Sequence, residues 1–400
     1  MKECSTPGSF DSLFFDPSEP VSQEVFWGSG VSSRVGDFAR SLGGHALVVT
    51  DKGVLSAGHP TKVIHSLNEA GLKTVLYDRT VQNPTDQSVQ ACAREVASMG
   101  IDLIIGVGGG SSLDTAKGAN FILTNGGSMK DYWGVDKAKH PLLPMIAIPT
   151  TAGTGSECQS YALISDDLTH RKMACGDASA LPKVTLLDPE LTLSQPFSVC
   201  AATGMDALAH ALESAVCTRR NTLSARHASK GFSLLIQNLE AVWKQPDNLE
   251  ARGAVLLGAA HAGAAIEKSM LGAAHAMANP LTARKGVIHG QAVSLTLPAV
   301  LVYNSKEPTI LNTYANLARS AGLANADESD REAFDSLLQK VVQFRKSSGM
   351  PVSLTTVGCE DSDLDELASD AADQWTATFN PRPVGRHELL KLYQSLSMYG

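Results

Sequence analysis

The sequence predicts an α/β domain built on a mostly parallel sheet, followed by an all-helical domain. Short apolar runs recur through the first half of the chain, and segments with helical apolar spacing separate the early runs. After about residue 194 these runs give way to long segments rich in Ala and Leu. Because alternating strands and helices form right-handed βαβ units, the first half should contain parallel strands. We place the boundary before Pro196, which predicts an α/β domain over residues 1–195 and an all-helical domain over residues 196–400.

The individual elements follow from local apolar patterns. Continuous apolar runs predict strands, and they span residues 45–50, 73–77, 102–107, 144–148 and 183–187. Apolar residues recur at helical spacing over residues 63–72 and 89–99, between the first strands. In the second half, helices are predicted over residues 201–217, 225–244, 249–270, 310–321, 330–346 and 362–377. The first twenty or so residues are predicted to be a loosely held lead-in.

Composition and charge exclude several classes of protein. With 400 residues, 43% of them hydrophobic and 18% charged, the chain can bury a large core and is not disordered. The net charge of −8, without a long Lys/Arg cluster, argues against nucleic-acid binding. No segment has the pattern of a signal peptide or a membrane span. The seven cysteines, scattered from Cys4 to Cys359 without a CxxC pair, are predicted to be buried thiols. We therefore expect a cytoplasmic protein with no nucleic-acid or membrane partner.

A glycine-rich turn follows the strand predicted over residues 102–107. Gly108, Gly109 and Gly110 precede Ser111, near which a helix is predicted to begin. Backbone N–H groups at such a strand-to-helix turn, aided by the helix dipole, form a site for an anion such as a pyrophosphate. Glycines that merely permit positive φ also explain the turn, and it is not the GxGxxG fingerprint of dinucleotide-binding folds. If the turn binds a pyrophosphate, the α/β domain is a Rossmann-like dinucleotide-binding domain.

Asp51 and a threonine-rich segment are predicted to lie near this turn. Asp51 closes the strand at residues 45–50, where its carboxylate could accept hydrogen bonds from an adenosine ribose and would repel a 2′-phosphate. Thr150, Thr151 and Thr154 follow the strand at residues 144–148 and add hydroxyls and backbone amides at the same sheet edge. A solvated turn explains Asp51 equally well. If the glycine turn and the threonine-rich segment line one cleft beside Asp51, the predicted cofactor is NAD and not NADP.

Four residues of the second half form a candidate metal site. Asp206 and His210 are four residues apart in a predicted helix, so both side chains leave the same face one turn apart. His275 and His289 lie in two further segments. One carboxylate and three imidazoles suit Zn, Fe(II), Mn or Co, and ligand type alone does not choose among them. A single histidine is more often a core or capping residue, and this interpretation is kept for His45, His59, His65, His140, His170, His227, His261 and His387.

Four motifs, in this order along the chain, resemble those of the iron-dependent (group III) alcohol dehydrogenase family. They are residues 108–117 (GGGSSLDTAK), 148–157 (IPTTAGTGSE), 202–210 (ATGMDALAH) and 275–290, and the resemblance covers nearly the whole chain. It implies a dehydroquinate synthase-like architecture, with NAD across the cleft between the domains and a divalent metal, Fe(II) favoured over Zn, in the helical domain. The metal ligands, and hence the catalytic residues, that it implies are Asp206, His210, His275 and His289. The cofactor contacts that it implies are Asp51, Gly109, Gly110, Ser111, Asp114, Thr150, Thr151, Thr154 and Lys172.

One position departs from the family pattern. The family commonly has a second histidine, often credited with proton transfer, four residues after the one that matches His275, and here that residue is Asn279. An amide cannot relay a proton at neutral pH, so water, a ribose hydroxyl or another group would have to do so. Arg284 and Lys285 follow shortly after; they either belong to a solvated loop or select an anionic substrate.

The resemblance implies a metal-dependent, NAD(H)-linked alcohol dehydrogenase or aldehyde reductase. Hydride would pass between nicotinamide and a small alcohol or aldehyde while the metal acts as a Lewis acid on the alcohol oxygen, in a homodimer or larger homo-oligomer. One alternative is a reductase of an anionic aldehyde that bears a phosphonate or carboxylate. Another is a metal-dependent enzyme of the glycerol dehydrogenase or dehydroquinate synthase type. A third is a non-catalytic nucleotide-binding protein, against which the complete ligand set argues.

Overall fold

The computed structural model describes residues 9–14, 23–168 and 171–399, and the chain divides into two compact units, Met1–Gln195 and Pro196–Gly400. The lead-in predicted over the first twenty or so residues lies mostly outside the described residues, as do Cys4 and His170. The other six cysteines are buried thiols. None of the described helices is long and apolar enough to span a bilayer.

Unit 1, which ends at Gln195, contains the predicted parallel sheet. Its described strands are β1 Ser9–Phe10, β2 Glu24–Trp27, β3 His45–Val49, β4 Lys73–Tyr77, β5 Leu103–Gly108, β6 Gly134–Val135, β7 Met145–Pro149, β8 Tyr161–Ser165, β9 Lys172–Gly176 and β10 Val184–Leu187. Its described α-helices are α1 Val35–Ala39, α2 Lys52–Ser56, α3 His59–Glu69, α4 Asp86–Val96 and α5 Gly110–Asn125. One sheet has the order β1-β2-β10-β7-β5-β3-β4, and its neighbours are parallel except for β1 and β2. The α/β class predicted from the apolar runs is confirmed.

Alternate residues of the central strands face two separate cores. On β3, Ala46 and Val48 belong to one apolar cluster with residues of α1 and α3, whereas Leu47 and Val49 belong to another with residues of α4 and α5. Because successive side chains of a strand point to opposite faces, both faces of the sheet are covered. Strand β5 is buried along its whole length and ends at the glycine turn.

The sequence patterns do not predict a second, smaller sheet in unit 1. There β9 pairs antiparallel with β8 and parallel with β6. Residues 161–164 and 173–175 are short apolar runs to which the sequence analysis assigned no strand, and Ala162, Ile164, Met173 and Cys175 pack into a third cluster. This sheet positions Lys172, the first residue of β9, opposite Ser165 of β8.

Unit 2, which begins at Pro196, is helical. Its described α-helices are α6 Phe197–Ser214, α7 Thr222–Lys244, α8 Leu249–Glu267, α9 Ala273–Lys285, α10 His289–Asn304, α11 Pro308–Ser320, α12 Asp330–Ser347, α13 Leu364–Ala372 and α14 Arg386–Ser395. Among residues 196–399, all of them described, there is no β-strand. The all-helical class predicted for this half is confirmed.

Three helices of unit 2 lie outside the predicted segments. Two of them, α9 and α10, are buried along most of their length, and each contains an interior proline, Pro280 or Pro298. A helix that is buried on nearly all sides has no polar face, so the spacing that predicts an amphipathic helix is missing. The third is α14. Conversely, the helix predicted over residues 362–377 ends at Ala372 as α13, and a 3₁₀ turn over Trp375–Phe379 follows it.

Candidate active site

The four predicted metal ligands come together in unit 2. Helix α6 carries Asp206 and His210, whereas His275 lies in the first turn of α9 and His289 begins α10. One oxygen, Asp206 Oδ1, lies 3.3 Å from Nε2 of His275, 3.5 Å from Nε2 of His210 and 3.7 Å from Nε2 of His289. Ligand atoms of Asp206, His210 and His275 all lie within 4.8 Å of one another.

The donor set and its surroundings fit a divalent cation. The rings of His210 and His275 stack with centroids 4.8 Å apart, and the ring of His289 lies 5.5 Å from that of His275. The side chains of Asp206, His210 and His275 are buried, whereas that of His289 is 25% exposed, so solvent reaches the cluster at His289. Three imidazole nitrogens and one carboxylate oxygen are a donor set that Zn and Fe(II) accept.

The same groups perturb one another's proton affinity. Burial would raise the pKa of Asp206, but the imidazoles of His210, His289 and His275 outweigh it and lower this pKa. Burial would lower the pKa of His275, but the carboxylates of Glu213 and Asp206 outweigh it and raise this pKa to about 9. A metal needs a neutral imidazole, so a cation that binds here displaces a proton.

Glu213 is a residue of this cluster that the sequence analysis missed. Its Oε2 lies 2.5 Å from Nδ1 of His275, and its Oε1 accepts a hydrogen bond of 2.7 Å from the backbone N–H of Ala274. A signal was present in the sequence. Asp206, His210 and Glu213 are spaced i, i+4 and i+7, which places all three on one face of α6.

A close approach of two helices positions His289. A Cβ atom added at Gly290 would lie 2.1 Å from the backbone oxygen of Ala202, a residue of α6. Glycine therefore lets the first turn of α10 pack directly against α6. As a result His289 lies beside the Asp206 and His210 pair.

The other residues singled out near His275 are engaged in local contacts. Asn279 donates a hydrogen bond of 3.0 Å from Nδ2 to Oε1 of Gln374. Arg284 forms ion pairs with Glu366, at 2.6 Å, and with Asp370. Lys285 pairs with Asp363 at 2.6 Å. Carboxylates of the same unit balance both cations, which removes the reason for expecting an anionic substrate.

In unit 1, most of the predicted cofactor contacts lie at the carboxyl ends of β3, β5 and β7, which are neighbours in the sheet. Asp51 caps α2 by accepting from the N–H of Val54 at 3.0 Å, and its other oxygen accepts from Ser112 Oγ at 3.3 Å. Asp51 therefore lies beside the N-terminus of α5. A Cβ atom added at Gly110 would lie 2.8 Å from side-chain atoms of Thr154, so the glycine turn contacts the threonine segment.

The remaining predicted contacts differ in their surroundings. Ser111 Oγ accepts from the N–H of Asn83 at 3.3 Å, and the N–H of Thr150 donates to the backbone oxygen of Gly108 at 3.0 Å. The structure also brings Gly109 next to Thr151, because a Cβ atom at Gly109 would lie 3.3 Å from Thr151 Oγ1.

Asp114 is buried, and its carboxylate is engaged within the unit. It accepts from Ser156 Oγ at 2.8 Å, and Lys117 Nζ donates to the backbone oxygens of Ser156 and Gln159, both at 2.6 Å. Burial raises the pKa of Asp114, and the charges of Lys117 and Lys172 offset this only in part. Lys117 and Ser156, which the sequence analysis did not assign a role, thus tie the start of α5 to the threonine segment.

Glu157, in the same segment, leads to a stability prediction. Its side chain is 1% exposed, and its Oε1 makes no hydrogen bond within the described structure. Burial raises the pKa of Glu157 from 4.5 to about 7. A carboxyl whose pKa rises on folding destabilises the folded state as the pH increases from the lower value through the higher one. We expect Glu157→Gln to raise the free energy of unfolding by up to about 3 kcal/mol at a pH of about 8, and to change it little at a pH of about 5.

Urea unfolding of both proteins at the two pH values would measure this effect. The matched control is Glu24→Gln, which neutralises an exposed carboxylate on β2 and should change stability little at either pH. An equal gain for Glu157→Gln at both pH values would show that the carboxylate charge is not the cause.

The chain is similar to known proteins over most of its length. The sequence model of a family described as iron-containing alcohol dehydrogenase matches residues 22–189, and that of the C-terminal part of the Fe-containing alcohol dehydrogenase family matches residues 200–397. The NAD-dependent methanol dehydrogenase of Bacillus methanolicus is 31% identical over 369 residues, which are 92% of this chain and 96% of that protein. The 1,3-propanediol dehydrogenase of Klebsiella pneumoniae is 32% identical over 374 residues, with the same coverage of 92% and 96%. The solved structure of an alcohol dehydrogenase from Oenococcus oeni superposes with a TM-score of 0.89 at 33% identity, covering 97% of this chain and 100% of that one.

Proposed function

Because the chain belongs to the iron-containing alcohol dehydrogenase family, we propose that Asp206, His210, His275 and His289 hold the divalent metal of an NAD-dependent alcohol dehydrogenase. The observation that carries this proposal is the convergence of three imidazole nitrogens on Asp206 Oδ1, at 3.3 to 3.7 Å. Membership in the family, with Fe(II) favoured as the metal, makes the protein an oxidoreductase that interconverts alcohols and aldehydes. When bound, the metal supplies a Lewis acid at the alcohol oxygen, and NAD accepts the hydride from the alcohol carbon.

The residues of unit 1 bind and orient the cofactor. The backbone N–H groups at Gly109, Gly110 and Ser111 form the anion site at the N-terminus of α5, which suits the pyrophosphate. Asp51, held beside this helix by Ser112, accepts hydrogen bonds from the ribose hydroxyls. Thr150, Thr151, Thr154 and Lys172 are assigned to the same cofactor. Asp114 and Lys117 support the cofactor site indirectly, because their hydrogen bonds to Ser156 hold the start of α5 against the threonine segment.

The substrate is a small alcohol or aldehyde without a charge requirement. The two relatives named above carry the names of a methanol and a 1,3-propanediol dehydrogenase, so we propose a short primary alcohol or diol as the substrate. The ion pairs of Arg284 and Lys285 count against an anionic aldehyde. We also propose a cytoplasmic location and a homo-oligomeric assembly.

Absorbance at 340 nm tests the proposed function directly. The enzyme is assayed with NAD and a panel of short alcohols, before and after removal of metal with a chelator, and again after addition of Fe(II) or Zn(II). We expect NAD reduction that disappears with the metal and returns when it is restored. Full activity in exhaustively demetallated protein would remove the metal from the proposal.

Asn279 leads to a prediction about pH dependence. Its amide is bonded to Gln374 and does not exchange a proton near neutral pH, so deprotonation of the alcohol must use water or a ribose hydroxyl. This path improves as the pH rises, and we expect an alkaline optimum for oxidation. Asn279→His adds a group that titrates near neutrality and should raise the oxidation rate more at a pH of about 7 than at a pH of about 9.

The matched control is Asn279→Gln, which changes the side chain without adding a titrating group. It should leave the shape of the pH–rate profile unaltered. Superimposable pH–rate profiles for Asn279→His and the unaltered enzyme would show that residue 279 takes no part in proton transfer. The metal assignment would be unaffected.

A further inference from the structure

Glu213 lies next to the proposed metal ligands, but its carboxylate contacts Nδ1 of His275, the ring nitrogen that does not face Asp206. It is 3% exposed, and each of its two oxygens accepts one hydrogen bond. Oε1 accepts from the backbone N–H of Ala274, and Oε2 accepts from Nδ1 of His275. We propose that Glu213 is a positioning residue that fixes the tautomer and orientation of His275, and thereby sets the affinity of the site for its metal. This inference rests on the proposed function.

The hydrogen-bonding capacity of the carboxylate determines the tautomer. An ionised carboxylate only accepts hydrogen bonds, so the hydrogen of the neutral imidazole must be on Nδ1. The lone pair is then on Nε2, the atom that lies 3.3 Å from Asp206 Oδ1. A ligand histidine whose other nitrogen donates to a carboxylate is held in one orientation and is a more basic ligand.

The second hydrogen bond of Glu213 determines what an amide would do at this position. A glutamine has one acceptor oxygen and one donor NH₂ group. The backbone N–H of Ala274 can only donate, so the amide oxygen must face it and the NH₂ group must face His275. Nδ1 would then have to accept, which moves the hydrogen to Nε2 and blocks the metal-facing atom. Glu213→Gln therefore changes the metal site while keeping the size of the side chain.

Glu213 also helps to cap the start of α9, and Asn380 separates this structural role from the proposed one. Asn380 Oδ1 accepts from the N–H of Ala273 at 3.2 Å, also at the start of α9, and Asn380 exchanges hydrogen bonds with Asn304. The hydrogen bonds of Asn380 do not include His275. Asn380→Ala is thus the matched control, because it weakens the start of α9 without altering the tautomer.

The test measures metal binding instead of turnover. Zn(II) affinity is measured by competition with a chromophoric chelator, and the visible absorption spectrum of the Co(II)-substituted protein reports ligand geometry. We expect Glu213→Gln to bind Zn(II) about 10- to 100-fold more weakly and to alter the Co(II) spectrum. We expect Asn380→Ala to lower the melting temperature but to keep the affinity within about twofold and the spectrum unchanged.

The results distinguish a positioning role of Glu213 at the metal site from a purely structural role at the start of α9. Unchanged affinity and spectrum in Glu213→Gln, or equal losses of affinity in Glu213→Gln and Asn380→Ala, would overturn it. If Glu213→Gln does not fold, Glu213→Asp replaces it, because a side chain shorter by one methylene cannot keep both the hydrogen bond from the N–H of Ala274 and that from Nδ1 of His275. The same loss of affinity is then expected. If the unaltered protein itself binds no Zn(II), the proposed function fails, whereas normal binding with an unaffected Glu213→Gln defeats this inference alone.

Discussion

Replacing His275 with alanine is expected to remove the metal and to reduce alcohol oxidation by about a thousandfold or more, since a Lewis acid contributes several kcal/mol to such a reaction. His275 lies at the centre of the cluster, with Nε2 at 3.3 Å from Asp206 and Nδ1 at 2.5 Å from Glu213. Its loss deletes one donor and leaves the two buried carboxylates without the imidazole between them. The remaining donors, His210 and His289, do not replace it.

Metal content after dialysis, measured by elemental analysis, is the direct readout of this prediction. We expect one divalent ion per chain in the unaltered protein and much less in His275→Ala. The matched control is His227→Ala, which removes a buried histidine of the same unit that lies on α7 and forms a hydrogen bond with His261. Loss of metal from both variants would point to general destabilisation. Retention of one ion per chain and of normal activity in His275→Ala would contradict the assignment.

Neutralising Asp51 is expected to reduce the preference for NAD over NADP by about tenfold or more, because its carboxylate would repel the 2′-phosphate of NADP at close range. The structure determines which substitution tests this idea. Asp51→Gly would also remove the cap of α2, in which Asp51 accepts from the N–H of Val54. Asp51→Asn keeps an acceptor at the cap position and removes only the charge.

The measurement is the ratio of kcat/KM for the two cofactors. In the unaltered enzyme this ratio should favour NAD. Asp51→Asn should lower the ratio by raising kcat/KM with NADP. The matched control is Asp102→Asn, which neutralises a carboxylate of the same unit that accepts hydrogen bonds from the backbone N–H groups of Gly44 and His45 at the start of β3. Asp102→Asn should leave the ratio unchanged. Equal efficiency with both cofactors in the unaltered enzyme would contradict the role of Asp51.

Several features of the site depend on contacts that no local pattern reveals. The pairing of Asn279 with Gln374 and that of Arg284 with Asp370 join residues that lie on different elements. Sequence alone left Arg284 open between a solvated loop and an anion site. The structure places it, exposed, in the last turn of α9, where its ion pairs with Glu366 and Asp370 count against an anion site. Gly290 is similar, because its need for a small residue arises only from the backbone of Ala202 against which it packs.

By itself, the sequence determined the α/β and helical classes, the central strands of the parallel sheet and the pairing of Asp206 with His210 on one helix face. These features follow from periodicity, which acts over a few residues and is therefore visible in a single segment. Only the tertiary structure decided the small sheet of β8 and β9, the helices α9 and α10, and the contact of Glu213 with His275. The physical reason is that burial on all sides removes the polar face from α9 and α10, and that Glu213 meets His275 only because α6 and α9 pack together.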